Sequence, residues 1–113
     1  MNILVRILIT AVLVLVIAKF LPGVTVNSFS TSIIVAIVLA LLNLIVKPIL
    51  VILTLPVTIL TLGLFLLIIN GLMIVLCTKI VDGFAVHSFF TAFLFSIILS
   101  LSQSVIFSFS NKN

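Results

Sequence analysis

Acidic residues are almost absent from this chain of 113 residues: it has one Asp, Asp82, and no Glu. It has a single Cys, a single His, and neither Trp nor Tyr. One Cys excludes an internal disulfide and any CxxC or zinc framework. One His with one carboxylate excludes most acid–base, nucleophile–base and metal constellations. Charge is scarce altogether, at 5% of residues against about 25% in a soluble domain. That excludes both a disordered chain and a water-soluble globule. Five scattered cations form no basic stripe, so nucleic-acid binding is excluded although the pI is near 10.0.

What is present is apolar surface. Hydrophobic residues make up 65% of the chain, and mean hydropathy is +1.78. Residues 20–46, 48–78 and 83–111 contain no Asp, Glu, Lys or Arg. A β-barrel would need apolar–polar alternation in strands of about ten residues. Ile33 to Leu42 and Leu62 to Ile69 show none. Helices satisfy their backbone within one segment, so they are the expected answer in lipid. The runs predict helices at about 3–21, 30–49, 60–80 and 88–108. Residues 1–113 then form a single all-α transmembrane domain with four spans. No small-x-small cleavage site follows the first run, so it reads as a span and not as a signal peptide. With both termini cytoplasmic, Arg6, Lys47 and Lys112 lie inside and Lys19 and Lys79 outside, a slight positive-inside excess.

The sequence repeats itself 60 residues on. Lys19, Gly23, Val26, Ser28, Phe29 and Thr31 match Lys79, Gly83, Val86, Ser88, Phe89 and Thr91 without a gap. Ile37, Leu39 and Leu41 match Ile97, Leu99 and Leu101. Two parallel helical-hairpin repeats, at about 1–50 and 61–110, are expected. Gly23 and Gly83 sit in equivalent loops and are expected at positive φ. The join, residues 50–59, is too apolar for a water-exposed loop, and Pro56 forbids an uninterrupted helix. A kinked helix pair, a segment lying in the inner interface and a re-entrant turn all fit it.

Two features are candidates for function. Small residues recur every four positions: Ser32, Ala36 and Ala40 in the second run, and Ala92, Ser96, Ser100 and Ser104 in the fourth. Such a face lets helices approach closely in lipid, within one chain or between copies. The second feature is a polar layer of Thr10, Asn43, Asn70 and Gln103, with Arg6 and Lys47 one turn nearer the inner surface. Helical rise puts Thr10 and Asn43 at similar depths. Interhelical hydrogen bonding and a polar channel lining are both compatible with it. No carboxylate lies within a span, which argues against proton coupling. The residues call for no cofactor, metal or catalytic group. The partner they call for is the bilayer itself, with a homo-oligomer as a further possibility.

The central segment has a distinctive order: Asn43-Leu-Ile-Val-Lys47-Pro48, then Leu55-Pro56, then Thr61-Leu-Gly63-Leu-Phe65, then Asn70. In this it resembles the four-transmembrane phage holin superfamily IV of small bacterial membrane proteins. The resemblance implies a polytopic inner-membrane protein that oligomerises to permeabilise the cytoplasmic membrane. It marks Asn43, Lys47, Pro48, Pro56, Thr61, Gly63 and Asn70 as motif positions and brings no catalytic role. Asp82 departs from the Pro often found in that loop. The residues themselves also admit a structural or partner-binding subunit and a small channel or transporter.

Overall fold

A computed structural model describes residues 2–111; Lys112 lies outside the described residues. Helix α1 spans Ile3–Phe20 and is capped by Asn2, whose side chain accepts from the Val5 N–H. Strand β1 (Val24–Val26) leads into α2 (Phe29–Leu41), which is capped by Ser28 through the Thr31 N–H. A π-helical turn, Leu42–Val46, joins α2 to α3 (Lys47–Leu53). Helix α4 (Leu55–Leu60) and helix α5 (Leu64–Ile80) follow. Strand β2 (Phe84–Val86) and helix α6 (Phe89–Asn111) complete the order. Ser88 caps α6 through the Thr91 N–H, as Ser28 caps α2.

Among the described residues three helical stretches are long and apolar enough to cross a membrane: Ile3–Phe20, Phe29–Leu53 and Phe89–Phe109. Helix α5 is shorter, at 17 residues. It is about 26 Å long against a hydrocarbon core of about 30 Å. The expected helix boundaries shift at the join. The second helix does not stop at 49 but runs on to Leu53, and the third begins at Leu64, not at 60. The join is a kinked pair of short helices. Leu62 and Gly63 then take positive φ, 57° and 89°, and redirect the chain into α5.

Proline explains the widened turn. A Pro ring clashes with the carbonyl four residues back and offers no N–H to it. For Pro48 that carbonyl is Leu44's, inside the π turn. The turn is wide enough for Lys47 N–H to reach the Leu42 carbonyl, five residues back. The 60-residue counterpart of Pro48 is Ser108, and there α6 stays regular.

The loops differ from the expected simple turns. Three-residue strands β1 and β2 pair antiparallel, Val24 with Val86, Thr25 with Ala85 and Val26 with Phe84. Two further bonds close the pair reciprocally: Asn27 N–H to the Gly83 carbonyl at 3.0 Å, and His87 N–H to the Gly23 carbonyl at 2.6 Å. This register is symmetric under the 60-residue offset. Gly23 and Gly83 have φ of 92° and 90°. A Cβ on Gly83 would lie 2.9 Å from the Asn27 side chain.

Helices α1 and α5 run toward this sheet, and α2 and α6 run away from it. Helix α1 packs on α2 and α6, and α5 packs on α6 and α2. Small residues make these approaches possible. Ala11, Ser32, Ala36, Ala92 and Ser96 are buried. A Cβ on Gly71 would lie 3.3 Å from the Phe93 backbone. Apolar side chains gain little from leaving lipid for a protein interior, so close packing must supply the attraction. The core between the helices is filled by Val14, Val35, Met73, Cys77, Phe95 and their neighbours. Phe84 from β2 lies against Phe95, with ring centroids 5.8 Å apart.

Gly83→Ala should therefore cost about 1–3 kcal/mol, because it forces an L side chain into the left-handed region at a crowded turn. Reversible unfolding in mixed micelles measures the loss.

Candidate functional site

Below the packed core, at the end remote from the sheet, the helices part around a cavity of about 340 Å³. Arg6 and Thr10 reach it from α1, and Asn43 and Lys47 from the π turn and the start of α3. Asn70 comes from α5, and Gln103 and Phe107 from α6. The cavity thus brings together the whole polar layer and both cations placed beside it by the sequence. Ala36, Ala40, Ser96 and Ser100 line the same space. Part of the small-residue face therefore forms the cavity wall. Ser32 and Ala92 lie in the packed interior, and Ser104 is exposed outside the cavity lining.

Three contacts organise the polar groups. The Gln103 amide nitrogen donates to the Thr10 hydroxyl at 2.8 Å, tying α6 to α1. The Lys47 ammonium donates to the Asn70 amide oxygen at 2.5 Å, tying α3 to α5. The Arg6 guanidinium lies over the Phe107 ring, 4.7 Å from its centroid, within cation–π range.

These contacts break the internal symmetry. Asn43 and Gln103 are counterparts, as are Thr10 and Asn70. The counterpart of the Gln103–Thr10 bond would join Asn43 to Asn70, yet Asn70 accepts from Lys47. The counterparts of Arg6 and Lys47 are Leu66 and Phe107. Both charges therefore fall in the first repeat, and the second carries apolar side chains at the matching positions. Phe107 was hidden among apolar residues. The signal that could have found it is its alignment with Lys47 at the 60-residue offset.

The remaining motif positions lie elsewhere and shape the backbone. Pro48 and Pro56 stand in the first turns of α3 and α4. The Thr61 hydroxyl accepts from the Phe65 N–H at 3.2 Å and lies 3.0 Å from the Val57 carbonyl. It bridges the turn built by Leu62 and Gly63. Thr58 is buried nearby with its hydroxyl unpartnered. Among the described residues no group of three His, Cys, Asp or Glu could hold a metal ion. Cys77 is a free thiol in the core, and His87 is exposed beyond β2.

The family model described as mycobacterial 4 TMS phage holin, superfamily IV, matches residues 1–105. The chain belongs to this family. Among the relatives of this holin-family protein is the uncharacterized membrane protein YvlD of Bacillus subtilis. It is 40% identical over 103 residues, covering 90% of this chain and 87% of that protein. An uncharacterized protein of Streptomyces coelicolor is 47% identical over 75 residues, covering 63% of this chain and 60% of its own length. No solved structure matches. The holin-family chain is accordingly a membrane protein of apolar helices.

The two interhelical bonds should differ in worth. A Thr10→Val, Gln103→Leu double-mutant cycle should give a coupling of about 0.6 kcal/mol, and no more than about 2. Asn70→Leu should cost more, because it strips a half-buried ammonium of its partner. Unfolding of each variant in micelles, read by helical circular dichroism, ranks them.

Proposed function

We propose that this holin-family protein is a four-span protein of the bacterial inner membrane that permeabilises the bilayer as an oligomer and catalyses no reaction. In this reading residues 1–113 form one domain of two parallel hairpin repeats. The spans are α1, the α2–α3 stretch, α5 and α6. Both termini face the cytoplasm, so Arg6 and Lys47 lie on the side favoured by the positive-inside rule.

The observation that carries the oligomeric part is a closed interior. Val14, Val35, Cys77 and Phe95 are fully buried between the cavity and the sheet. A single chain therefore offers a vestibule without an exit. Any passage across the bilayer must form between copies. Ser104 supports such assembly, since it continues the small face of α6 at an exposed position outside the cavity lining. The blind cavity counts against a channel or transporter working within one chain.

A second reading, a structural or partner-binding membrane subunit, is favoured by the amides. Asn70 and Gln103 both hold helices together, which a passive scaffold would also need.

Controlled expression in a bacterium, with membrane potential recorded beside a span-scrambled control, separates the two. Abrupt depolarisation at a threshold protein level, with lysis only when a murein hydrolase is supplied, is the expected result. A steady potential at high membrane abundance removes the permeabilising role and leaves the structural one.

A further inference from the structure

Arg6 and Lys47 line one cavity, and among the described residues no acidic side chain lines it with them. The sole acidic side chain, Asp82, lies beside β2 at the opposite end of the helices. The partners that the two cations do have are neutral: an aromatic ring and an amide. A cation at membrane depth is costly without a counter-charge, and intramembrane cations are typically paired. Two of them around one cavity make a standing demand for an anion from outside the chain.

We propose that the vestibule binds a phosphate group, carried by an anionic phospholipid. The donor set fits an oxyanion. The Arg6 guanidinium is a planar fork matched to phosphate oxygens. Lys47 uses one donor on Asn70 and keeps two, as a point charge suited to phosphate. Asn70 offers its oxygen to Lys47, which leaves its amide nitrogen free to donate.

Size and surroundings select the carrier. The cavity, at about 340 Å³, is far larger than a halide needs, since one water occupies about 30 Å³. It admits a phosphodiester with attendant water. Ile3 and Leu44 also line it and are 66% and 73% exposed. They supply an apolar rim on which acyl chains can rest beside the headgroup. A basic pocket between membrane helices is a known setting for phospholipid headgroups. The proposal is independent of permeabilisation, because it needs neither oligomers nor loss of membrane potential.

The test uses the full-length protein in detergent, with thermal unfolding followed during titration of phosphatidylglycerol, phosphatidylcholine or inorganic phosphate at constant chloride. Phosphatidylglycerol should raise the unfolding midpoint saturably, and more than phosphatidylcholine does. Arg6→Gln should weaken that response about tenfold, the loss expected for one charge-assisted contact. Lys19→Gln, at the sheet end, should leave it intact. Saturable stabilisation by inorganic phosphate, lost in Arg6→Gln, supports the oxyanion site and assigns it a free ion in place of the lipid. If Arg6→Gln unfolds, Lys47→Met takes its place, and native mass spectrometry counts the phosphatidylglycerol retained by each variant. A response that survives both substitutions, or that Lys19→Gln reduces as much as they do, overturns the proposal.

Discussion

Every backbone polar group in an apolar surrounding must find its partner within the protein. The structure follows from how this chain meets that constraint wherever a regular helix fails. At Pro48 the helix widens, and Lys47 N–H reaches back to Leu42. At Thr54 the side-chain hydroxyl donates to the Leu50 carbonyl at 2.7 Å as α3 ends. At the Leu62–Gly63 reversal the Gly63 N–H finds the Thr58 carbonyl at 2.8 Å, and Thr61 takes up the Phe65 N–H. At the far end the two Gly loops pair with each other as a small sheet. Each interruption carries its own substitute bond, which is why so apolar a chain can bend this often.

The same devices create the site. Positions 60 residues apart share caps and glycine turns. They diverge where Pro48 stands opposite Ser108 and where Lys47 stands opposite Phe107. Pro48 widens the turn that carries Asn43. Lys47 then takes the amide that symmetry would have offered to Asn43. Arg6 in turn lies on the ring that stands in Lys47's place. The sheet end is symmetric and packed. The other end is asymmetric, charged and hollow. Departure from the repeat, more than the repeat itself, marks the end that holds the candidate site.

Much of this was legible in the sequence, and the reasons are physical. Charge-free runs located the long helices. Helical rise puts Thr10 and Asn43 at similar depths, the 60-residue offset adds Asn70 and Gln103, and all four line one cavity. The helix ends in the join, at Leu53 and Leu64, lie a few residues from 49 and 60, because its apolar residues suit helix and turn alike and the reversal rests on the positive φ of Leu62 and Gly63. The sheet was invisible for a different reason. Val24–Val26 and Phe84–Val86 are too short to show a period-two pattern, and their pairing joins segments far apart in the chain. Phe107 was missed because an aromatic in an apolar helix carries no polar signal. The small-residue face and the polar layer were legible separately, but their meeting in one cavity depends on how the helices splay.

The polar residues of the vestibule are not equivalent in what they can be there for. Lipid and protein interior are alike to a Leu side chain, so specificity in this fold must come from close packing and from hydrogen bonds. Thr10 with Gln103 serves that end fully: two neutral groups satisfy each other. An amide in place of Lys47 could tie its helix to Asn70 at lower desolvation cost, since an ammonium is the more expensive group to remove from water. Nor does the bundle need a guanidinium to cover Phe107; an aliphatic chain would pack there. Arg6 and Lys47 therefore exceed what folding requires, and they do so at the end of the chain that departs from its own repeat. Stability accounts for the neutral pair of Thr10 and Gln103. The two unanswered charges are best accounted for by something that meets the protein from the bilayer or the water beyond it.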